Sequence, residues 1–210
     1  MQTTTTPPGT TPPRPIPGAG TPPTPEAWQA AFEAALPYRA YLDRFANPDQ
    51  RGRWDAFHAR VALSPEQTTL LGSFKRRMPV LVLSGAWCGD CATQCPIFDH
   101  FAAASPTIDL RFLDRDARPD IAAHLAVCGG QRVPTVAFLS EDWHLVVFYG
   151  DKTLSAYRAA AASQAGNSCA TGLATPADAI AAATADWLDQ FERVQLILRL
   201  SGRLRQIHGD

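Results

Sequence analysis

The chain has 210 residues, 46% of them hydrophobic and 19% charged, and a formal net charge of −1. That length is enough for one well-buried core with further elements around it, and the near-zero charge excludes any overall pull toward nucleic acid or an anionic membrane surface. No apolar run approaches the roughly 18 residues that span a bilayer, and no basic start followed by an apolar stretch marks an export signal, so a cytoplasmic location is expected.

Residues 1–24 form a Pro/Thr-rich tail: the first 25 positions hold nine Pro and eight Thr, with Arg14 the only charge. Such a composition buries too little apolar surface to offset its ordering entropy, which predicts a disordered or polyproline-like segment. A helical N-terminal extension is expected over 25–63. Thr24-Pro25-Glu26 supplies an N-cap followed by proline at the first helical position. Trp28, Ala31, Phe32 and Ala35 then recur at helical spacing, Tyr38, Tyr41, Leu42 and Phe45 give a second stripe, and Trp54, Phe57, His58 and Val61 a third, with a turn at Asn47-Pro48. Trp28, Trp54 and, later, Trp187 sit on such stripes and are expected in the core.

Ser64-Pro65-Glu66-Gln67 is a capping-box pattern that opens a fourth helix through about Lys75. The period then changes. Residues 79–83 are a short apolar run, read as a buried strand, and a helix to about Ala104 follows Cys91. Residues 108–113 read as a strand and 118–127 as a helix, broken by Cys128-Gly129-Gly130. Two strands, 135–139 and 144–148, are joined by a short polar turn, and a helix over 154–162 follows Gly150. This order predicts a parallel first pair, an antiparallel final hairpin, and a mixed α/β sheet of about four strands flanked by helices over 64–163. Residues 164–210 read as a loop and a long C-terminal helix packed on that domain. Thr175-Pro176-Ala177-Asp178 caps it, Ile180, Ala183, Trp187, Leu188, Phe191, Val194 and Leu198 form its apolar stripe, and Arg193, Arg199, Arg203 and Arg205 suit the negative end of its dipole.

The chemistry concentrates in the cysteines. Of Cys88, Cys91, Cys95, Cys128 and Cys169, three lie within eight residues. An odd count in a chain without an export signal argues against a structural disulfide framework. Cys88-Gly89-Asp90-Cys91 falls between a buried strand and a helix. There the first thiol faces unpaired backbone N–H groups and the positive end of the helix dipole, which favour the thiolate, the attacking species. The second, one turn on, can reach the first sulfur and resolve a mixed disulfide. A bare CxxC also suits half a zinc site, but no second close pair exists. Arg132-Val133-Pro134-Thr135 opens the third strand, where a cis X–Pro bond is expected.

Trp87-Cys88-Gly89-Asp90-Cys91, Pro96 inside the next helix, Val133-Pro134-Thr135 and Gly150 together resemble the thioredoxin superfamily, and most of all its bacterial members with a Trp-Cys-Gly-Asp-Cys motif and helical extensions. The resemblance implies a nucleophilic Cys88, a resolving Cys91 and a cis-Pro134. It also implies a Val133 backbone that pairs with an extended substrate chain, on a surface shaped by Trp87, Gly89 and Asp90. The expected function is reduction of protein disulfides by the Cys88/Cys91 dithiol, with a separate dithiol or reductase as electron donor, no built-in flavin or nicotinamide cofactor, no metal, and neither nucleic acid nor membrane as partner. The alternative is a non-enzymatic thioredoxin-fold binding module or redox sensor, and a weaker third reading is metal binding by Cys88, Cys91 and Cys95.

Two departures from the family pattern matter. The buried aspartate that thioredoxins carry six residues before the first cysteine is Val82 here, which removes a proton acceptor for Cys91. Asp90 replaces the proline that usually precedes the second cysteine, and its charge is expected to oppose thiolate formation at Cys88 and make the pair more reducing. Of the remaining candidates, Cys95 is expected to be a buried small residue, Cys128 an inert loop thiol, Cys169 a neutral loop residue, and His100 a solvated helix residue. Asp114-Arg115-Asp116 is expected to be a polar turn rather than a proton relay, and His58, His124, His144 and His208 show no metal spacing.

Overall fold

The computed structural model describes residues 21–165 and 178–210. Most of the Pro/Thr-rich tail, Cys169 and the 175–177 part of the expected cap lie outside the described residues.

Four helices come first: α1 (Pro25–Ala34), α2 (Tyr38–Phe45), α3 (Pro48–His58) and α4 (Pro65–Gly72). Thr24 caps α1 through the Ala27 N–H, and Ser64 and Gln67 bond each other's backbone N–H at the start of α4. Asn47 and Gln50 make the same reciprocal box on α3, so the residue read as a turn also nucleates a helix. Helix α4 stops at Gly72 rather than near Lys75. The backbone N–H groups of Lys75 and Arg76 are taken by the buried Gln195 side chain, at 3.1 and 2.7 Å, and so leave the helical path.

Strands β1 (Met78–Ser84), β2 (Ile108–Asp114), β3 (Thr135–Leu139) and β4 (Leu145–Gly150) form one mixed sheet in the order β2-β1-β3-β4. β1 and β2 are parallel, while β3 is antiparallel to both β1 and β4. The central strands β1 and β3 are buried along their whole length, as their unbroken apolar runs require. Where a further edge strand would lie beside β2 there is one antiparallel bridge, in which Leu36 and Phe112 exchange backbone bonds of 2.9 and 2.7 Å. The helices α1 and α2 on either side of Leu36 allow no more.

Helix α5 (Gly89–Ala104) crosses from β1 to β2, α6 (Pro119–His124) precedes β3, and α7 (Leu154–Ala165) follows β4. α6 is shorter than the 118–127 expected from sequence. A tight turn captures its end: Val127 and Gly130 exchange backbone bonds, and Cys128 and Gly129 both take positive φ, 50° and 75°. The long final helix expected near the C-terminus is two helices, α8 (Ala179–Leu200) and α9 (Gly202–His208). Ser201 ends the first and caps the second, and the fold back brings Asp210 onto Arg76 and Arg199.

Phe191 of α8 packs edge-on against Phe101 and Phe138, with ring centroids 5.1 and 5.0 Å away, and Trp187 meets Phe98 at 4.6 Å. Tyr38 and Tyr41 of α2 close the β2 side against Phe112. Among the described residues no helix is long and apolar enough to cross a membrane.

Candidate active site

β1 ends at Ser84, and the chain turns through Gly85, Ala86 and Trp87 into α5. Two bonds hold this turn. The Cys88 N–H donates to the Gly85 carbonyl at 2.9 Å, and the indole N–H of Trp54 donates to the Ala86 carbonyl at 3.0 Å in the interior. The Trp87 ring folds back over Gly85, where a Cβ would come within 2.7 Å of it, so a side chain at 85 would displace the ring. Trp87 is 48% exposed, unlike the buried Trp28, Trp54 and Trp187, and the Arg115 guanidinium stands 4.8 Å from its ring centroid.

Cys88 is the N-cap residue of α5, but its side chain makes no capping bond. The half-buried thiol instead donates to the Val133 carbonyl at 3.4 Å. Cys91, one turn on, is fully buried. The Val133–Pro134 peptide is cis. The end of β4 presses against it: a Cβ at Gly150 would lie 2.5 Å from the Pro134 carbonyl oxygen, a backbone atom with little room to move. The structure thus brings Trp87, Cys88, Gly89, Asp90, Cys91, Val133 and Pro134 to one end of the sheet, on three segments that converge there.

The thiols are poised as protonated groups. The hydrogen bond Cys88 shares with Cys91, followed by burial, pushes the Cys88 thiol above the ordinary thiol value. The backbone N–H groups of Cys91 and Asp90 pull it down without offsetting that push. Burial pushes Cys91 well up, against smaller opposing pulls from Cys88 and the Ser84 hydroxyl. The expected cause of a weakly acidic Cys88, repulsion by Asp90, needs correcting. Asp90 forms an ion pair with Lys152, so a cation sits beside the carboxylate, and the push on Cys88 comes from Cys91 and burial instead.

Several residues of the site were not singled out from sequence. Lys152 is one. Asp151 is another: its carboxylate accepts from the Tyr157 hydroxyl and, at 3.3 Å, from Arg132. Burial raises Asp151, but Tyr157, its own backbone N–H and Arg132 together hold it below the usual carboxylate range. Gln94, on the buried side of α5, donates to the Asp151 carbonyl at 3.1 Å and accepts from the Trp187 indole at 2.9 Å, which ties α8 to the site. The one sequence signal for this group is its position, since Asp151 and Lys152 directly follow Gly150.

The other candidates fall outside the Cys88/Cys91 pair. Cys95 is fully buried, with its Sγ 3.8 Å from the Ser84 hydroxyl, and Cys128 is exposed. The Asp114 carboxylate accepts from the Asp116 and Ala117 N–H groups, as in the polar turn expected there. His100 is not a solvated side chain. It is half-buried, with Nε2 3.1 Å from the His58 carbonyl and its ring 4.4 Å from that of His58, which in turn meets Asp99 at 2.9 Å. Among the described residues no group of three or more His, Cys, Asp or Glu side chains is arranged to hold a metal ion.

Comparison with known proteins agrees with this architecture. A family model described as Thioredoxin matches residues 36–161, more than half of the sequence, and the chain belongs to that family. Among solved structures the chain is similar to a Pseudomonas aeruginosa protein of unknown function, at 22% identity and a TM-score of 0.62, over 78% of this chain and 96% of that one. It is also similar to an HIV epitope-scaffold, at 20% identity and a TM-score of 0.58, over 76% of this chain and 96% of that one. At these identities the likeness bears on fold alone. No curated protein matches the chain.

Proposed function

We propose that the chain is a thiol–disulfide oxidoreductase that reduces protein disulfides through Cys88 and Cys91. The observation that carries this reading is the half-exposed Cys88 thiol at the start of α5, bonded to the Val133 carbonyl and one turn from the buried Cys91. Cys88 loses its proton and attacks one sulfur of the substrate disulfide. That bond breaks, a mixed disulfide forms on Cys88, and the second substrate sulfur leaves as a thiolate. Cys91 then attacks the Cys88 sulfur, the reduced substrate departs, and a Cys88–Cys91 disulfide remains for a separate dithiol donor to reduce. The Val133 carbonyl, which holds the Cys88 proton in the free protein, is also the acceptor that an extended substrate backbone would use. Substrate arrival would therefore release the thiol at the moment it is needed.

The test is a redox titration of the full chain in graded thiol–disulfide buffers, with the Cys88–Cys91 bond read by peptide mass spectrometry and turnover measured on a model disulfide. The expected outcome is a reversible Cys88–Cys91 disulfide and loss of turnover in Cys88→Ser. Failure to form that disulfide would sink the proposal. The upward push on both thiols favours a second reading, a binding module or slow redox sensor that uses the same cleft. Equal rates for wild type and Cys88→Ser on the model disulfide would select it.

A further inference from the structure

Helix α8 has two faces of different kinds. The inner one, with Trp187, Phe191, Val194 and Leu198, is buried in the core. The outer one ends in Leu196, Ile197 and Leu200, all exposed, Leu200 at 76%. Large apolar side chains grouped on a surface mark a place that another molecule covers. With Asp189, Glu192 and Arg193 they line a shallow groove of about 420 Å³. Among the described residues, none of these three charged side chains has an ion-pair partner.

The order of residue types along the outer face says what fits it. Toward the N-terminus the face is small, with Ala181 and Ala185 exposed and Ala182 half-buried. Its middle carries Asp189 and, one turn on, Arg193, both exposed, and its C-terminal part is bulky. Such a face is complementary to itself run backwards. Let a second copy of α8 lie antiparallel about a two-fold axis at the level of Phe191. Arg193 then stands opposite Asp189 of the second copy, and symmetry repeats the pair. Ile197 meets Ala185 of the second copy, and Leu200 meets its Ala182. Small residues opposite large ones let the two helices interdigitate at a shallow crossing angle. The antiparallel setting also opposes the two helix dipoles. An anionic membrane is a poorer match, because Asp189 and Glu192 would meet like charge there.

We infer that α8 forms the interface of a homodimer, in which two copies pack antiparallel with Arg193 on Asp189 at both contacts. The inference goes beyond the dithiol reading and does not depend on it. Trp187, through which α8 is tied to Gln94 and the site, lies on the inner face, so pairing of the outer faces leaves that contact in place.

The test is sedimentation velocity of the full chain from about 1 to 100 μM, the range of a moderate non-obligate dimer, under reducing conditions because Cys128 is exposed. A monomer–dimer equilibrium is expected for wild type, and a monomer throughout for Leu200→Glu. Asp189→Arg sets like charges against each other at both contacts, and Arg193→Asp does the same with the opposite sign. Each should weaken the dimer by about tenfold or more. An equimolar mixture of these two variants restores opposite charges at both contacts and should dimerise as wild type does. All three variants change exposed side chains, so thermal unfolding and turnover per chain should match wild type. A wild-type chain that stays monomeric would overturn the inference, and co-sedimentation of that monomer with phosphatidylserine vesicles would assign the face to a membrane instead. A dimer that survives in Leu200→Glu would also overturn it. So would a mixture no more associated than either charge variant alone, since the antiparallel pairing requires the rescue.

Discussion

The rim of the site and its floor, one helical turn apart, handle polarity in opposite ways. On the rim, Asp90 pairs with Lys152 and Arg115 lies on the exposed Trp87 ring, while the buried Asp151 just beneath is held by Arg132 and Tyr157. On the floor, Val82, Ser84, Tyr41, Cys91 and Cys95 are buried, with no carboxylate or basic side chain among them. The difference follows from water. A surface ion pair gains and costs little, about 0–1 kcal/mol, so a rim can carry several and exchange them. An unpaired charge in the interior costs several kcal/mol, so the floor is built of hydroxyls, thiols and apolar groups. The half-exposed Cys88 therefore sits among charges that water screens, and the buried Cys91 among groups that water does not reach.

The sharpest way to break this comparison is to place a permanent acid on the floor. Val82→Asp should destabilise the fold by more than about 3 kcal/mol at neutral pH, measured by urea denaturation. Burial would raise the folded pKa of the new acid above its unfolded value of about 3.9. The ionisation penalty should therefore be absent below about pH 4 and grow as pH rises through the folded value. A penalty that stays flat from about pH 4 to 8 would mean that the floor solvates charge after all.

A methyl group at the seam between rim and floor comes next. Gly150→Ala drives a Cβ to 2.5 Å from the Pro134 carbonyl oxygen, and overpacking against backbone should cost about 2 kcal/mol. Thermal unfolding would report it, and a variant as stable as wild type would mean that the Pro134 segment gives way. The smallest effect belongs to the rim. Asp90→Asn leaves Lys152 without its partner near Cys88, which should make that thiol more acidic by less than about one pH unit, with stability changed by under about 1 kcal/mol. Thiolate absorbance of Cys88 against pH measures the first, and Lys152→Met should move it the opposite way. No shift in either variant would mean that water screens the rim completely from the thiol.

What the sequence by itself determined was everything carried by short spacing. The alternation of buried strands with helices, the parallel first pair and antiparallel hairpin, the caps at Thr24 and Ser64 and the four-strand sheet all follow from periods and turn residues within a few positions of one another. The Cys88/Cys91 pair was legible for the same reason, because a helix N-terminus and a spacing of one turn are local facts. Only the tertiary structure decided which distant polar groups meet. Gln94 finds Trp187 across 93 positions, and Gln195 ends α4 by binding Arg76 across 119. Lys152 reaches Asp90 across 62, and Tyr41 of α2 comes to pack against Phe112 of β2. Local backbone geometry sets each element's period. The partner of a side chain on its buried or facing surface is set by how the elements pack, and neither spacing nor composition records that packing.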